Sequence, residues 1–261
     1  MKIIVCIKQV PDTNEVTINP ETNTLNRVGV PSIINPFDKF ALELALRLKE
    51  QHNGTVTALT MGPPQARDAL KECYAMGADE IVLLSDKYFG GADTLATSYT
   101  LAAAIRKIGG YDLIFCGKQA IDGDTAQVGT GIAEWLDLPQ VVCGVDIKIN
   151  GDKAVVKKEL DATYERIELP LPAVVTISKT LDFRSPNLMR RMKASKMEIP
   201  VWKAEDLPGI DMTRLGLKGS PTKVGRIFAP TPRDAGIKVQ GQTADEAARG
   251  LIDYLLNAKV I

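Results

Sequence analysis

Four times between Ile3 and Trp135 a short apolar run gives way to a helical pattern, and this alternation narrows the possible folds more than any other feature. The runs are Ile3 to Ile7, Ile81 to Leu84 and Leu113 to Cys116, all unbroken, and the second strand, Thr55 to Met61, in which threonines are interspersed with apolar residues. Unbroken apolar runs of that length are strands covered on both faces, and strands that alternate with helices build a parallel sheet. The helix starts are legible too. Asn35-Pro36-Phe37-Asp38 offers Asn as N-cap, Pro at the first position and Asp at the third. Phe37, Phe40, Ala41, Leu44, Ala45 and Leu48 then keep one face apolar, which reads as core. Gly62-Pro63-Pro64 ends the second strand, and Ala66, Ala69, Leu70 and Cys73 make a helix stopped at Gly77. After Gly90-Gly91, Asp93 is placed to cap a helix through Ile105, although two glycines before a cap also make an ordinary turn.

Past Pro139 the pattern changes. Val145 to Ile149 and Ala154 to Leu160 flank Asn150-Gly151, a strong hairpin signal. Thr163 to Leu169 alternates, and Ala173 to Ser178 is a further apolar strand placed to complete the sheet. Earlier, Lys8 to Pro36 reads as a long excursion in which Val16-Thr17-Ile18 and Thr24-Leu25 pair as a small hairpin. From Pro200 to Arg233 the chain is rich in Pro and Gly, with Trp202 and Phe228 among few large apolar residues. Such a stretch buries no core of its own and lies along another surface. Thr243 to Leu256 closes as a helix with Ala247, Leu251, Tyr254 and Leu255 on its apolar side. The expected fold class is α/β: a doubly wound, mainly parallel sheet over residues 1–200, with an antiparallel addition and a C-terminal arm over 201–261. Docking of that arm on a partner subunit and on its own domain are equally physical.

Composition excludes more than it selects. Lys+Arg and Asp+Glu both count 32, so no net field draws nucleic acid or an anionic membrane. The single histidine, His52, leaves little material for histidine catalysis or zinc, so neither catalytic residues nor a metal site are expected. Cys6, Cys73, Cys116 and Cys143 show no C-x-x-C spacing and read as free thiols of a reducing compartment. Ile3 to Ile7 is too short for a signal peptide or a membrane span, so a cytoplasmic location is expected.

The fourth strand delivers Gly117 to Gly129, reading G-K-Q-A-I-D-G-D-T-A-Q-V-G. A glycine at a strand's carboxyl end followed by a capped helix is a strand–loop–helix unit. Asp124 is the expected N-cap, with Gln127 as its capping-box partner, and Ala126, Val128, Ile132 and Trp135 as the apolar stripe. Such loops sit where α/β sheets bind ligands, and first-turn N–H groups suit a phosphate. Asp122 and Asp124 would repel a phosphate unless they bond backbone donors. The loop is neither G-x-x-x-x-G-K-[ST] nor G-x-G-x-x-G. Spacing alone therefore leaves two readings open, an ordinary βα turn and a nucleotide loop. Further on, Leu188, Met189 and Met192 stand beside Arg190, Arg191, Lys193 and Lys196, either as a solvated amphipathic turn or as a docking element.

Six blocks in order carry a resemblance over essentially the whole chain. They are V-C-I-K-Q-V-P at Val5 to Pro11, N-P-F-D at Asn35 to Asp38, M-G-P-P at Met61 to Pro64, A-M-G-A-D at Ala75 to Asp79, the loop at Gly117, and L-P-A-V-V-T at Leu171 to Thr176. The chain resembles the beta (small) subunit of electron transfer flavoproteins. The resemblance implies an adenine-nucleotide-binding domain of the alpha-hydrolase-like kind and a heterodimer with an alpha subunit that carries a flavin. It implies that Cys6 and Met61 face the adenine and ribose, that Asn35, Pro36, Phe37 and Asp38 line the cleft, and that the loop wraps the pyrophosphate. The loop residues concerned are Gly117, Lys118, Gln119, Ala120, Ile121, Asp122, Gly123, Asp124, Thr125, Ala126, Gln127 and Val128. Pro186, Asn187, Leu188, Met189, Arg190, Arg191, Met192 and Lys193 correspond to the element that docks acyl-CoA dehydrogenases. Some members have leucine where this chain has Ser185, so the resemblance hands the anchoring role to Leu188.

The family has two types. One holds structural AMP on the beta subunit; the other holds FAD there and bifurcates electrons from NADH to the alpha-subunit flavin and to ferredoxin or flavodoxin. Asp122-Gly123-Asp124-Thr125-Ala126 stands where the AMP type is similar to D-D-D-C-N. Gly90-Gly91-Ala92-Asp93-Thr94-Leu95-Ala96-Thr97 stands where that type looks unrelated, and Asp12-Thr13 points the same way. These details resemble the FAD type and add Asp93, Thr94 and Thr97 to the expected cofactor residues. Gly123 and Ala126 leave room near the pyrophosphate, and Gly90-Gly91 lets backbone approach a flavin. The expectation is FAD with NADH as donor, the alternatives being structural AMP and a stand-alone nucleotide sensor.

Overall fold

Strand β1 (Lys2–Cys6) shows in miniature why the sheet forms. Ile3 and Val5 point into one hydrophobic cluster and Ile4 and Cys6 into another, so both faces are covered and every side chain after Lys2 is apolar. Burying each such aliphatic side chain contributes about 1.5–3 kcal/mol. The computed structural model describes residues 1–12, 18–19, 24–25, 31–179, 182–225 and 236–261. The chain divides into two units, Met1–Thr17 with Leu25–Gly225, and Ile18–Thr24 with Arg226–Ile261.

In the larger unit β1 is followed by β2 (Gln9–Pro11), then, beyond the short pair β3 (Ile18–Asn19) and β4 (Thr24–Leu25), by β5 (Ser32–Ile34) and helix α1 (Pro36–His52). Next come β6 (Thr55–Met61), α2 (Arg67–Met76), β7 (Glu80–Leu84), α3 (Thr94–Ile108), β8 (Leu113–Gly117) and α4 (Val128–Leu136). The antiparallel part is β9 (Gln140–Asn150), β10 (Lys153–Glu159) and β11 (Tyr164–Pro170). It is followed by β12 (Ala173–Ile177), α5 (Leu188–Ser195), β13 (Val201–Trp202) and the single turn α6 (Gly216–Gly219).

The main sheet runs β11-β10-β9-β12-β8-β1-β6-β7-β13. All neighbours from β9 to β13 are parallel, while β10 is antiparallel to both β9 and β11. The expected doubly wound sheet with an antiparallel addition is therefore the fold. α1, α2 and α5 cover one face, and α3 and α4 cover the other. Phe115 on β8 is completely buried, and its truncation to Ala would cost about 3–5 kcal/mol. The chain lays β6 and β7 on one side of β1 and then crosses back to put β8 on the other. This is the switch point at which doubly wound sheets leave a crevice beyond their strand ends.

Some expectations shift. The hairpin forms with Gly151 at φ +62, but β9 begins at Gln140, because its first half pairs with β12 before its second half meets β10. β3 and β4 do pair, whereas Val16 and Thr17 lie outside the described residues, as do Thr13 and Phe228. The stretch 201–225, expected to belong to the arm, packs on the α/β unit. β13 joins the edge of β7, Ser85 N donates to Trp202 O at 3.0 Å, and Ala204, Leu207 and Leu215 are buried over α3. A few apolar residues suffice there because β7 would otherwise present an unpaired edge.

In the smaller unit, α7 (Ala244–Asn257) is capped by Thr243, whose side chain accepts from Glu246 N. None of its residues is buried. Among the described residues no helix is long and apolar enough to cross a membrane.

Candidate functional site

At the carboxyl ends of β1 and β8 the structure opens a cleft of about 1740 Å³. Its floor includes Cys6, Asp38 and Cys116, one wall is the loop after β8, and the opposite wall is the Tyr88–Asp93 loop with the start of α3. The thiol of Cys6 beside it, together with burial, pushes the Cys116 thiol well above the ordinary cysteine range, so Cys116 is a neutral thiol.

The loop wall is held by two buried polar side chains from the start of α1. Asn35 was expected to cap α1, yet its side chain makes no cap bond. It reaches across the crevice instead: its Nδ2 donates to Gln119 O at 2.8 Å, and its Oδ1 accepts from Ile121 N at 3.2 Å. Asp38 joins the two strand ends, its Oδ2 accepting from Lys8 N at 2.7 Å and its Oδ1 from Gly117 N at 3.0 Å. Burial pushes the Asp38 carboxyl up to about 7, against these bonds, Asn35 and the charge of Lys8. Gly117 has to be glycine here, because a Cβ would collide with the Asp38 carboxylate and stand 2.7 Å from Phe37 Cβ.

The loop itself departs from the capped turn read in the sequence. Asp124 is not the N-cap of α4. It adopts φ +51 and Ala126 adopts φ +53, so the chain makes two left-handed bends before the helix begins at Val128. Ala126 therefore lies outside the helix, whose apolar side is Val128, Ile132 and Trp135. Nor do the two acids bond backbone donors. Asp124 accepts from Gln119 Nε2 at 2.7 Å, and Asp122 pairs with Lys8 Nζ at 2.6 Å. Both carboxylates are thus engaged by side chains. Gln127, at the N-cap position, makes no side-chain cap bond, so the first-turn N–H groups of α4 stay available at the cleft.

α3 meets the same space differently. Asp93 caps it as expected, with Oδ1 accepting from Leu95 N at 3.0 Å and Ala96 N at 3.1 Å. Burial works against ionisation of Asp93, but the bonds from Ala96, Thr222 and Leu95 hold its carboxyl below the usual range. Thr94 Oγ1 donates to Gln127 Oε1 at 3.1 Å and so ties the two helix starts together.

Of the residues singled out in the sequence, Cys6, Asp38, Met61, Asp93, Thr94 and Thr97 line the cleft. So do Gly117, Lys118, Gln119, Ala120, Gly123, Thr125, Ala126, Gln127 and Val128. Asn35, Pro36, Phe37, Ile121, Asp122 and Asp124 do not; Asn35 holds the loop from behind, and Asp122 and Asp124 pair with Lys8 and Gln119. Sequence reasoning missed Ser85 to Tyr88, Lys203 to Glu205, Met212, Thr222 and Val224. The first group follows β7 as Lys118 follows β8, so the strand-end rule alone would have found it. Among the described residues no group of three or more His, Cys, Asp or Glu side chains could hold a metal ion.

The proposed docking element is α5, capped by Asn187, whose side chain accepts from Arg190 N at 3.1 Å. Leu188, Met189 and Met192 are 70%, 73% and 58% exposed. Arg190, grouped with them in the sequence, is turned inward. Its Nε donates to Tyr74 O at 2.7 Å, its Nη2 donates to Ala78 O, and its guanidinium lies 4.4 Å from the Tyr74 ring centroid. It fastens α5 to α2. Upstream, Arg184 bonds the buried carboxylate of Glu43 and that of Glu50, anchoring the approach to α5 on α1.

Residues 22–207 match the family model described as "Electron transfer flavoprotein domain". The chain is 50% identical over 263 residues to the caffeyl-CoA reductase-Etf complex subunit CarD of Acetobacterium woodii, with 100% of each chain covered. It is 51% identical to the electron transfer flavoprotein subunit beta of Thermoanaerobacterium thermosaccharolyticum, again over 100% of each. It is 46% identical to the acryloyl-CoA reductase electron transfer subunit gamma of Anaerotignum propionicum, over 100% of each. Full-length identity at this level, on a parallel sheet with a cleft at its switch point, places the chain in the electron transfer flavoprotein family as a beta subunit.

Proposed function

We propose that the chain holds FAD in the switch-point cleft and serves as the small subunit of a heterodimer that bifurcates electrons from NADH. In this reading they pass to the alpha-subunit flavin and an acyl-CoA dehydrogenase-type partner, and to ferredoxin or flavodoxin. The observation that carries the reading is the uncapped N-terminus of α4, opening on a cleft with room for a dinucleotide. Free first-turn N–H groups at the positive end of a helix suit a pyrophosphate. A volume of about 1740 Å³ exceeds the roughly 300–1,000 Å³ usual for small-ligand sites. The residues fit the group in another respect. A Cβ at Gly123 would meet nothing within 4 Å, so the loop backbone is bare there, and the two loop acids are already occupied by Lys8 and Gln119.

A bound flavin would supply the hydride and single-electron chemistry. The chain's own residues bind and orient. The Lys118-to-Val128 loop presents backbone donors, Cys6, Cys116 and Met61 line the floor, and the Gly90–Asp93 loop closes the far side. No side chain in the cleft is needed as a proton carrier. The relatives named for caffeyl-CoA and acryloyl-CoA reductase complexes support an acyl-CoA-reducing partner, and the exposed Leu188, Met189 and Met192 offer an adaptable apolar surface for it.

The test is to purify the chain with its alpha subunit, denature the complex and identify the released nucleotides. Two FAD per heterodimer, with NADH oxidation that reduces ferredoxin or flavodoxin, is the expected result. One FAD and one AMP, with no such coupling, would overturn it.

A further inference from the structure

We propose that the strap Gly216–Thr222 positions the Gly90–Asp93 wall of the cleft, with Ser220 and Thr222 as positioning residues for the dinucleotide; this rests on the reading of the cleft given above. The strap meets that wall through Gly216, Leu217, Ser220 and Thr222. Leu217 N donates to Gly90 O at 3.0 Å. Gly216 adopts φ +51, and a Cβ there would collide with Tyr88 O and stand 2.7 Å from Gly90 O, so the two backbones are in direct contact. Ser220 is buried, accepts from Asp93 N at 2.8 Å, and donates to Gly216 O at 2.7 Å. Thr222 closes the set, its N and Oγ1 donating to Asp93 Oδ2 at 3.1 and 2.8 Å.

Asp93 is the hinge of the arrangement. One carboxylate oxygen caps α3 and the other holds Thr222, so neither is left for a ligand. A residue expected to contact cofactor directly thus acts by fixing where the α3 end of the cleft stands. Thr222 and Val224 also line the cleft, so the strap is both the brace and part of the wall. A segment that only stabilised the fold would have no reason to spend its hydrogen bonds on one cofactor-facing loop.

The experiment uses the full chain in complex with its alpha subunit, loaded with FAD, and follows release from the beta site by the rise in flavin fluorescence on dilution. Thr222→Val, at an exposed position that leaves folding intact, should speed release about fivefold, and Thr222→Ser should restore the wild-type rate. Ser220→Ala should speed it about tenfold, since it also orphans Asp93 N. Tyr99→Phe removes the phenol that accepts from Asp211 N at 2.8 Å on the approach to the strap, away from the loop, and should leave release unchanged. Wild-type release from Thr222→Val, or equal acceleration by Tyr99→Phe, would overturn the proposal. A wild-type complex that holds AMP instead overturns the FAD reading, and the same variants scored on AMP release still decide the strap.

Discussion

Replacing Asp38 with Asn asks whether one buried carboxyl both joins the cleft's two founding strands and makes their junction sensitive to pH. In the wild type its two oxygens accept from Lys8 N and Gly117 N. Burial raises the group from an ordinary 3.8 to about 7 in the folded protein. The native state therefore keeps a proton that the unfolded chain gives up first. Stability from this carboxyl is fully present below pH 3.8 and is lost as pH rises through about 7. At about 1.4 kcal/mol per unit, the whole loss is about 4 kcal/mol. Asparagine has no proton to lose, but it offers one acceptor where two N–H donors converge, and its amide faces the second. That costs about 1–3 kcal/mol at every pH. The variant should be level with wild type or less stable near pH 5 and more stable near pH 8, the difference swinging by about 3 kcal/mol. Urea unfolding of the nucleotide-free protein at both pH values measures it, with other titrating groups cancelling in the comparison. Parallel pH profiles for the two proteins would refute the reasoning.

Gly117→Ala places a methyl 2.8 Å from Asp38 N and against its carboxylate, and should cost about 2–3 kcal/mol, seen as a melting temperature lowered by several degrees. Arg190→Ala should destabilise by about 2 kcal/mol through the carbonyls of Tyr74 and Ala78, whereas Arg191→Ala should stay within about 0.5 kcal/mol and affect only partner binding. Equal losses from the two would show that Arg190 is not a fastener. Asp124→Gly should raise stability by up to about 1 kcal/mol by relieving a left-handed residue at φ +51, while Asp124→Ala keeps the strain; identical melting of the two would exclude that account.

The strands could be read because burial on both faces writes itself into sequence as apolar runs, unbroken from Ile3 to Cys6 in β1, from Ile81 to Leu84 in β7 and over β8, and interrupted only by threonine in β6 and β12. The Asp93 cap could be read because its partners are its own next residues. What could not be read depends on distance or on backbone handedness. Asn35 has every mark of a cap, yet its side chain serves Gln119 and Ile121, which are remote in sequence and adjacent only once β1 and β8 pair. Asp124 looked like a cap because polarity patterns carry no record of positive φ. Arg190 looked like a docking cation because nothing local places Tyr74 beneath it. The stretch 201–225 looked like an arm because two strand residues and three buried apolar side chains are too few to show as a pattern, though enough to cover an edge.

β12 sits between β8 and β9 although it is made after both, and all five of its residues are buried. β12 therefore joins the parallel half of the sheet to the antiparallel addition. Without it β8 has an open flank and the β9–β10 hairpin has no sheet to join. Lys118 N donates to Ile177 O at 2.8 Å, so this strand joins Asp38 and Asn35 in holding the first steps of the loop after β8. The loop wall of the cleft thus takes a backbone bond from the strand that completes the sheet, so the wall and the sheet's last central strand are one piece of structure.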